Sequence, residues 1–250
     1  MKHIRMMMIC LSLLSFQFAK SQNPIFLTHG KIEFEFKLNI YAQMQDYDQD
    51  GWKDWVKKNM PQFKTTYFNL AFDNNKTLYQ PGKENPDNNN IWFGSDVADE
   101  NVIYSDFEKQ QAVSQKKVFE KLFLVQDSVR KIKWKITSET RNIAGFECRR
   151  ANALIMDSIY VVAFYTDEII TPGGPESFCG LPGMILGVAL PHQHVTWFAT
   201  KLIDESLKPS DFKIPTKGKV VTNNSLKESL KESLKDWGKY GVKYIQQAVL

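Results

Sequence analysis

The sequence predicts a mainly β fold built on antiparallel pairing, and three observations carry that reading. Residues 31–41 alternate strictly, with Ile32, Phe34, Phe36, Leu38 and Ile40 on one side and mostly charged or polar residues on the other. Period two is the mark of a half-buried strand. Residues 101–166 hold a succession of strand-like runs at roughly ten-residue spacing with short polar breaks, which is the pattern of a meander. No helical run alternates with these strands, and the gaps are too short for the crossovers that parallel strands need.

Taken in order, the chain starts with Lys2 and Arg5 and an apolar run over 6–18, and closes this segment with Ala19-Lys20-Ser21. A positive start, a short apolar middle and a small-x-small exit describe a secretory signal peptide over 1–21. The run is too short to span a bilayer, and no later segment is long and apolar enough. Cys10 lacks the small residue before it that lipid attachment wants, so a soluble exported product, periplasmic or extracellular, is expected. After the first strand, residues 51–58 read as a short helix stopped by Pro61. Residues 65–72 alternate again. The stretch 79–90, with Pro81, Gly82, Pro86 and a run of Asn, reads as a loop. Strand-like runs follow at 102–107, 117–125, 132–137, 145–153 and 158–166, then at 184–190 and 195–203.

The last segment, 217–250, is different. It repeats SLKE, SLKE, SLKD, which places Leu226, Leu230 and Leu234 on one side of a helix, with Trp237, Tyr240 and Tyr244 roughly continuing it. Gly238 and Gly241 break or bend it. Packing on the sheet is expected, because an isolated helix of this length is marginal in water. The domain plan is therefore a signal peptide (1–21), an antiparallel β domain (22–216) and a basic amphipathic helical tail (217–250).

The net charge of +4 is unevenly placed. Residues 217–250 carry seven Lys against Glu228, Glu232 and Asp236, while 22–216 hold 22 basic and 25 acidic residues. A near-neutral body argues against nucleic acid as a partner. The basic tail reads first as a solvated helix face, with contact to an anionic surface as the alternative.

Residues 166–183 contain four glycines and three prolines. Long irregular loops are uncommon in compact domains unless they have a task, although a plain strand connector is the competing reading. Leu181-Pro182-Gly183-Met184 suits a type II turn, with Gly183 where positive φ is needed. The hexapeptide Gly180-Leu181-Pro182-Gly183-Met184-Ile185, preceded by Gly174-Pro175-Glu176-Ser177-Phe178, resembles the signature of the GLPGLI family of exported Bacteroidetes proteins, with Met184 where the family has Leu. Upstream, Trp134-Lys135-Ile136 through Glu139, then Gly145-Phe146-Glu147-Cys148 to Ala151, and Phe164-Tyr165-Thr166-Asp167-Glu168-Ile169 resemble further family segments in the same order. The resemblance is close over 130–200 and loose over 25–130. It implies export and one curved antiparallel sheet, like the half-barrel of periplasmic lipoprotein carriers by analogy of fold alone. It brings no agreed catalytic residues.

Cys148, Cys179, His192 and His194 form a second constellation. On a strand, His192 and His194 would share a face and could chelate copper or zinc with a thiolate nearby. The spacing matches no standard zinc template. A Cys148–Cys179 disulfide, closing about 31 residues for roughly 3–4 kcal/mol, competes with it; so do unpaired thiols, and so does a plain turn after Pro191. Residues 46–51 resemble the start of a calcium loop, but Lys57 stands where the bidentate Glu is required. There is no GxSxG elbow, HExxH or phosphate loop. Asp167, Glu168 and Glu176 are candidate carboxylates for a hydrolase, and Cys179 with His192 for a nucleophile and base.

The function expected from the sequence is a non-enzymatic envelope binding or carrier module. Its concave sheet, bordered by the 166–183 loop, would hold an apolar small molecule or an envelope protein through Phe178, Leu181, Pro182, Gly183, Tyr165 and Trp197. No cofactor is expected on that reading. Copper or zinc on the cysteine–histidine set is the first alternative and a hydrolase the second.

Overall fold

The computed structural model describes residues 26–45, 50–88, 91 and 98–250. The expected signal peptide with Cys10, most of the acidic turn at 46–51, and Trp92 and Phe93 lie outside them.

Two meanders make up one sheet. The first runs β1 (His29–Asn39), β2 (Phe63–Asp73), β3 (Lys76–Pro81), β4 (Val102–Asp106), β5 (Gln111–Val118) and β6 (Lys121–Ser128), each antiparallel to the next. The second runs β7 (Lys135–Ile143), β8 (Phe146–Ile155), β9 (Ile159–Thr166), β10 (Met184–Leu190) and β11 (Val195–Ile203). β11 returns to pair with β1 and fuses the two. β12 (Lys219–Val221) then lies parallel to β6. Among the described residues the sheet thus has 12 strands in the order β12-β6-β5-β4-β3-β2-β1-β11-β10-β9-β8-β7. The antiparallel expectation holds for every pair but the last: the long connection from β11 lets β12 return along β6 in the same direction.

This order forces curvature. Residues 129–134 link β6 to β7, which stand ten strand positions apart. In a flat sheet that separation would be about 48 Å, at about 4.8 Å per strand. Seven Cα steps reach at most about 25 Å. The sheet therefore curls until the linker can cross between its two ends, without closing into a barrel.

The concave face collects Ile32, Phe34, Phe36 and Leu38 of β1 with Phe68, Leu70 and Phe72 of β2, Tyr79 of β3, and Val195, Trp197 and Ala199 of β11. Aromatic contacts knit it: Phe68 stacks on Tyr79 at 4.8 Å, and Phe36 meets Trp197 at 4.8 Å. Two helices, α1 (Ile40–Gln45) and α2 (Asp50–Asn59), add Ile40, Met44 and Val56 to the same core. The Tyr41 hydroxyl ties them by donating to the carbonyls of Lys57 and Met60 at 3.0 and 2.8 Å. On the convex face, Arg141 lies over the rings of Phe164 and Phe198, and Gly187 leaves the space that Phe198 and Ile143 occupy.

The tail packs on the sheet, as expected. Leu226 and Leu230 of α3 (Asn223–Ser233) and Ala248 of α4 (Gly238–Ala248) bury against Val118, Phe123 and Val125 of β5 and β6. Thr222 caps α3 by accepting from the Ser225 N–H, and Asp127 of β6 accepts from the Asn223 N–H at 3.0 Å. A carboxylate at a helix N-terminus opposes the dipole favourably.

Three local expectations are corrected. The 79–90 loop begins inside β3, where Tyr79 and Gln80 still pair with Leu70 and Asn69. The run 117–125 is two strands joined by a turn at Phe119-Glu120. Phe119 takes a left-handed φ of +54° there, which its bulk makes costly and which no turn-forming residue announces. The first half of the segment 132–137 is crossing linker; β7 starts at Lys135.

Gly183 holds φ +135° with its missing Cβ position 2.0 Å from the Thr166 carbonyl oxygen, whereas Gly145 holds φ +92° in open space. Gly183→Ala should therefore cost more than about 3 kcal/mol and Gly145→Ala only about 1 kcal/mol in urea unfolding. Equal costs would contradict this packing.

Candidate ligand-binding site

The glycine- and proline-rich segment that links β9 to β10 turns inward. Thr171, Gly173, Gly174, Pro175, Glu176, Phe178, Cys179 and Leu181 are all buried, while Gly180 and Pro182 are exposed. Its glycines are the condition for this. A Cβ at Gly173 would sit 2.7 Å from Thr77 Cγ2, and one at Gly174 2.8 Å from the Phe178 carbonyl. The loop satisfies its own backbone through Gly180 N–H to Pro172 O at 3.0 Å and Ile185 N–H to Gly173 O at 2.8 Å, as buried backbone must. Phe178 is 1% exposed and meets Trp197 edge-on at 5.9 Å. Of the residues expected to line an open groove, Phe178, Leu181, Tyr165 and Trp197 are thus buried and Phe178 and Trp197 touch. Gly183 makes the backbone turn, and Pro182 faces outward. The concavity is filled by the loop rather than bordered by it.

Where loop, crossing linker and tail meet, ionisable groups are buried. Glu176 on the loop and Lys116 on β5 are 4% and 3% exposed. Arg130, on the linker, is held among them. Glu176 Oε2 accepts from Asn101 Nδ2 at 3.0 Å, and Oε1 has no hydrogen-bond partner among the described residues. Its backbone is left-handed at φ +51°. Burial pushes the Glu176 carboxyl up, opposed by the Lys116 and Arg130 charges and by Asn101. Burial brings Lys116 down to about 8, with Glu176 pulling it back up. It also lowers Arg130, against the attraction of Cys179, Glu176 and Asp127. Asp99 and Asp127 act on the group from its edges, and the two cations need further acceptors.

The tail supplies the counterpart. Lys116 Nζ donates to the Ala248 carbonyl at 3.2 Å. Arg130 donates from Nε to Ser177 Oγ at 2.9 Å and from its guanidinium to the carbonyls of Val249 and, at 3.0 Å, Leu250. The Ser177 hydroxyl donates to the Leu250 carbonyl. The last turn of α4 leaves carbonyls without helical partners and concentrates partial negative charge there, so buried cations suit it.

Two small, partly open spaces of ≈ 30 Å³ flank Glu176, each with room for about one water. The first is lined by polar groups from Thr77, Ser105, Ser114, Lys116 and Arg130. The second lies against Phe36, Leu38, Val195 and Trp197. Outside them a cleft of ≈ 340 Å³ opens along the seam between β6 and the tail, lined by Asp127, Arg130, Lys131, Met156, Asn223, Lys227 and Val249. That size suits a small molecule. Arg130 lines both the inner space and the cleft.

The cysteine–histidine set is not assembled. Cys148 and Cys179 are free thiols, so the disulfide reading is overturned. Cys148 lies on β8 with parity opposite to Ala151 and Ala153 and bonds to the Phe146 carbonyl, while the Cys179 thiol, on the inward loop, donates to the Arg130 carbonyl at 3.3 Å. Burial pushes Cys148 up to about 12 and Cys179 up to about 11, the latter against Arg130. His192 and His194 do not share a strand face: Pro191–Gln193 is a 3-10 turn and His194 follows it at φ +57°. Among the described residues no three His, Cys, Asp or Glu side chains gather as a metal would need. Of the candidate carboxylates, Asp167 is exposed and Glu168 lies near Cys148, so neither joins Glu176. Lys116, Arg130 and Asn101 carry no motif. The one signal available was parity: in β5, Lys116 shares a face with Ser114 and Val118, all buried.

A family model described as a protein of unknown function, Porph_ging, matches residues 154–187, from the end of β8 through the inward loop into β10. Two crystal forms of PNGF-II are similar in structure. The C2 form has a TM-score of 0.52 and 14% identity over 80% of this chain and 32% of that one. The P21 form has a TM-score of 0.52 and 14% identity over 81% and 33%. This chain spans about a third of PNGF-II, and at this identity the likeness is one of fold. No curated protein sequence matches.

Two outcomes test the site. The folded value of Lys116, about 8, lies below the ordinary 10.5. Stability linked to this lysine is therefore present above pH 10.5 and lost as pH falls through 8. Glu176→Gln, which strands the lysine charge, should cost about 3 kcal/mol near pH 7 and clearly less at about pH 9.5 in urea unfolding. A pH-independent loss would contradict the pairing. Separately, Cys148 and Cys179 should stay inert to a thiol reagent in the folded protein and both react in urea. Their failure to react in urea would restore the disulfide.

Proposed function

We propose that this chain is a non-enzymatic binding module of the exported GLPGLI type, freed of a signal peptide after Ser21. Its ligand is a small molecule with a carboxylate at one end and an apolar body, seated in the seam cleft rather than in the concavity of the sheet. The observation that carries this reading is the position of Arg130, held in place by Ser177, lining both the inner space and the open cleft, and already gripping the backbone oxygens of Val249 and Leu250. With Nε given to Ser177 and one Nη to the tail, the other Nη is the donor left to meet a carboxylate, through a charge-assisted bond. Lys131 and Lys227 add positive charge to the cleft wall, and Met156 and Val249 offer apolar surface. The raised Cys179 thiol is protonated at neutral pH and so supports binding rather than nucleophilic chemistry. Spaces of ≈ 30 Å³ are too small for a lipid chain, which moves the expected apolar ligand outward.

Calorimetric titration with hexanoate and hexanol tests it. Hexanoate should bind and hexanol should not. Lys131→Glu combined with Lys227→Glu, both on the cleft wall, should weaken hexanoate by at least about tenfold. Equal binding of the two probes, or none of hexanoate, would overturn the reading.

A further inference from the structure

The aromatic cluster where the β5–β6 turn meets the tail has no part in the seam site. Phe119 projects from that turn in its left-handed conformation and is 45% exposed; Trp237, just before α4, is 49% exposed, and Tyr240 39%. Phe119 stacks on Tyr244 at 4.6 Å, Trp237 approaches Phe119 at 5.8 Å, and the Phe119 N–H donates to the Tyr244 hydroxyl at 3.4 Å. A bulky ring in a strained backbone conformation, half in water, is not what core packing selects. At 100° per residue Tyr240 and Tyr244 lie on one side of α4 with Lys243 and Lys239 beside them, and Trp237, on the turn before the helix, meets the Tyr244 ring at 6.4 Å. From Gly238 onward the chain has these two lysines and no acid, while beside the other rings Lys121 and Lys235 stand against Glu120 and Asp236. Lys239 also lies over the Tyr240 ring at 5.6 Å.

We propose that this face docks the protein on an anionic lipid bilayer. Trp and Tyr favour the headgroup boundary, where an apolar ring and a polar edge are both satisfied. Lysines beside them are drawn to negative headgroups. The complementarity of charge selects this occupant over a neutral apolar partner. A solvated tail would have no use for the half-exposed rings. No membrane span is implied, since no helix among the described residues is long and apolar enough to cross one. Docking here leaves the seam cleft as a separate feature, so the two proposals stand or fall independently.

Vesicle flotation of the full protein tests it. Vesicles of three parts phosphatidylcholine to one part phosphatidylglycerol should carry the protein up, and phosphatidylcholine alone should not. Roughly 0.5 M salt should release it. Lys239→Glu with Lys243→Glu should lower the partition coefficient at least about 20-fold, and Trp237→Ser about tenfold. The lysine pair is exposed, so melting temperature should hold and serve as the folding control. Absence of flotation with the anionic vesicles, equal flotation with neutral ones, or flotation unchanged in the lysine variant would overturn the proposal and leave the rings as a seal between turn and tail.

Discussion

The chain has six residues, 129–134, in which to pass from one side of its sheet to the other. Backbone reach sets that limit, not side-chain chemistry. A ribbon so wide can obey it only by curling, and curling creates an interior that aromatic strands alone do not fill. The loop between β9 and β10 enters that interior with glycines at its tightest contacts and with Phe178 and Leu181 as its apolar filling. The short linker and the inward loop are thus one solution. The linker's own Trp134 and Arg130 hold the loop at the Cys179 carbonyl and the Ser177 hydroxyl.

The same crossing explains why charge is buried. On the linker Lys131 and Lys133 are exposed while Arg130 turns inward, and an interior guanidinium needs acceptors. Ser177 on the loop and the backbone oxygens of Val249 and Leu250 on the tail answer with hydrogen bonds, and Glu176 with its charge. Three features make Glu176 an expensive choice: desolvation, a left-handed backbone, and an oxygen with no partner among the described residues. Costs of this kind gather where a protein does something besides fold.

Much of the architecture was legible in the sequence because it rests on local periodicity. The alternation in β1 appears in the structure as an unbroken burial pattern over eleven residues. The leucine repeat of the tail gave its buried face, Leu226 and Leu230. What escaped depended on distant partners. The Phe119 turn was hidden because a Phe does the work usually given to Gly or Asn. The parallel β12 was hidden because three residues carry no period. Glu176 was visible as a loop acid, but its burial beside Lys116 and Arg130 follows from the curl, which no stretch of sequence encodes alone. The two histidines misled for the opposite reason: an i, i+2 spacing means a shared face only on a strand, and Pro191 starts a turn there.

The fusion of the meanders at β1 and β11 bears on how the chain reaches this state. Within each meander every partner is a near neighbour, so either can zip from its own hairpins. Joining Lys31 to Ile203 demands closure of a loop of most of the chain, and contacts of such separation are the slow ones. Until that joint forms, β1 and β11 each present a bare hydrogen-bonding edge beside exposed Phe36 and Trp197, the condition under which like chains exchange strands. The interval before the two halves meet is therefore when this protein is most exposed to aggregation, and a helper that shields β1 as it is synthesised would act at that moment.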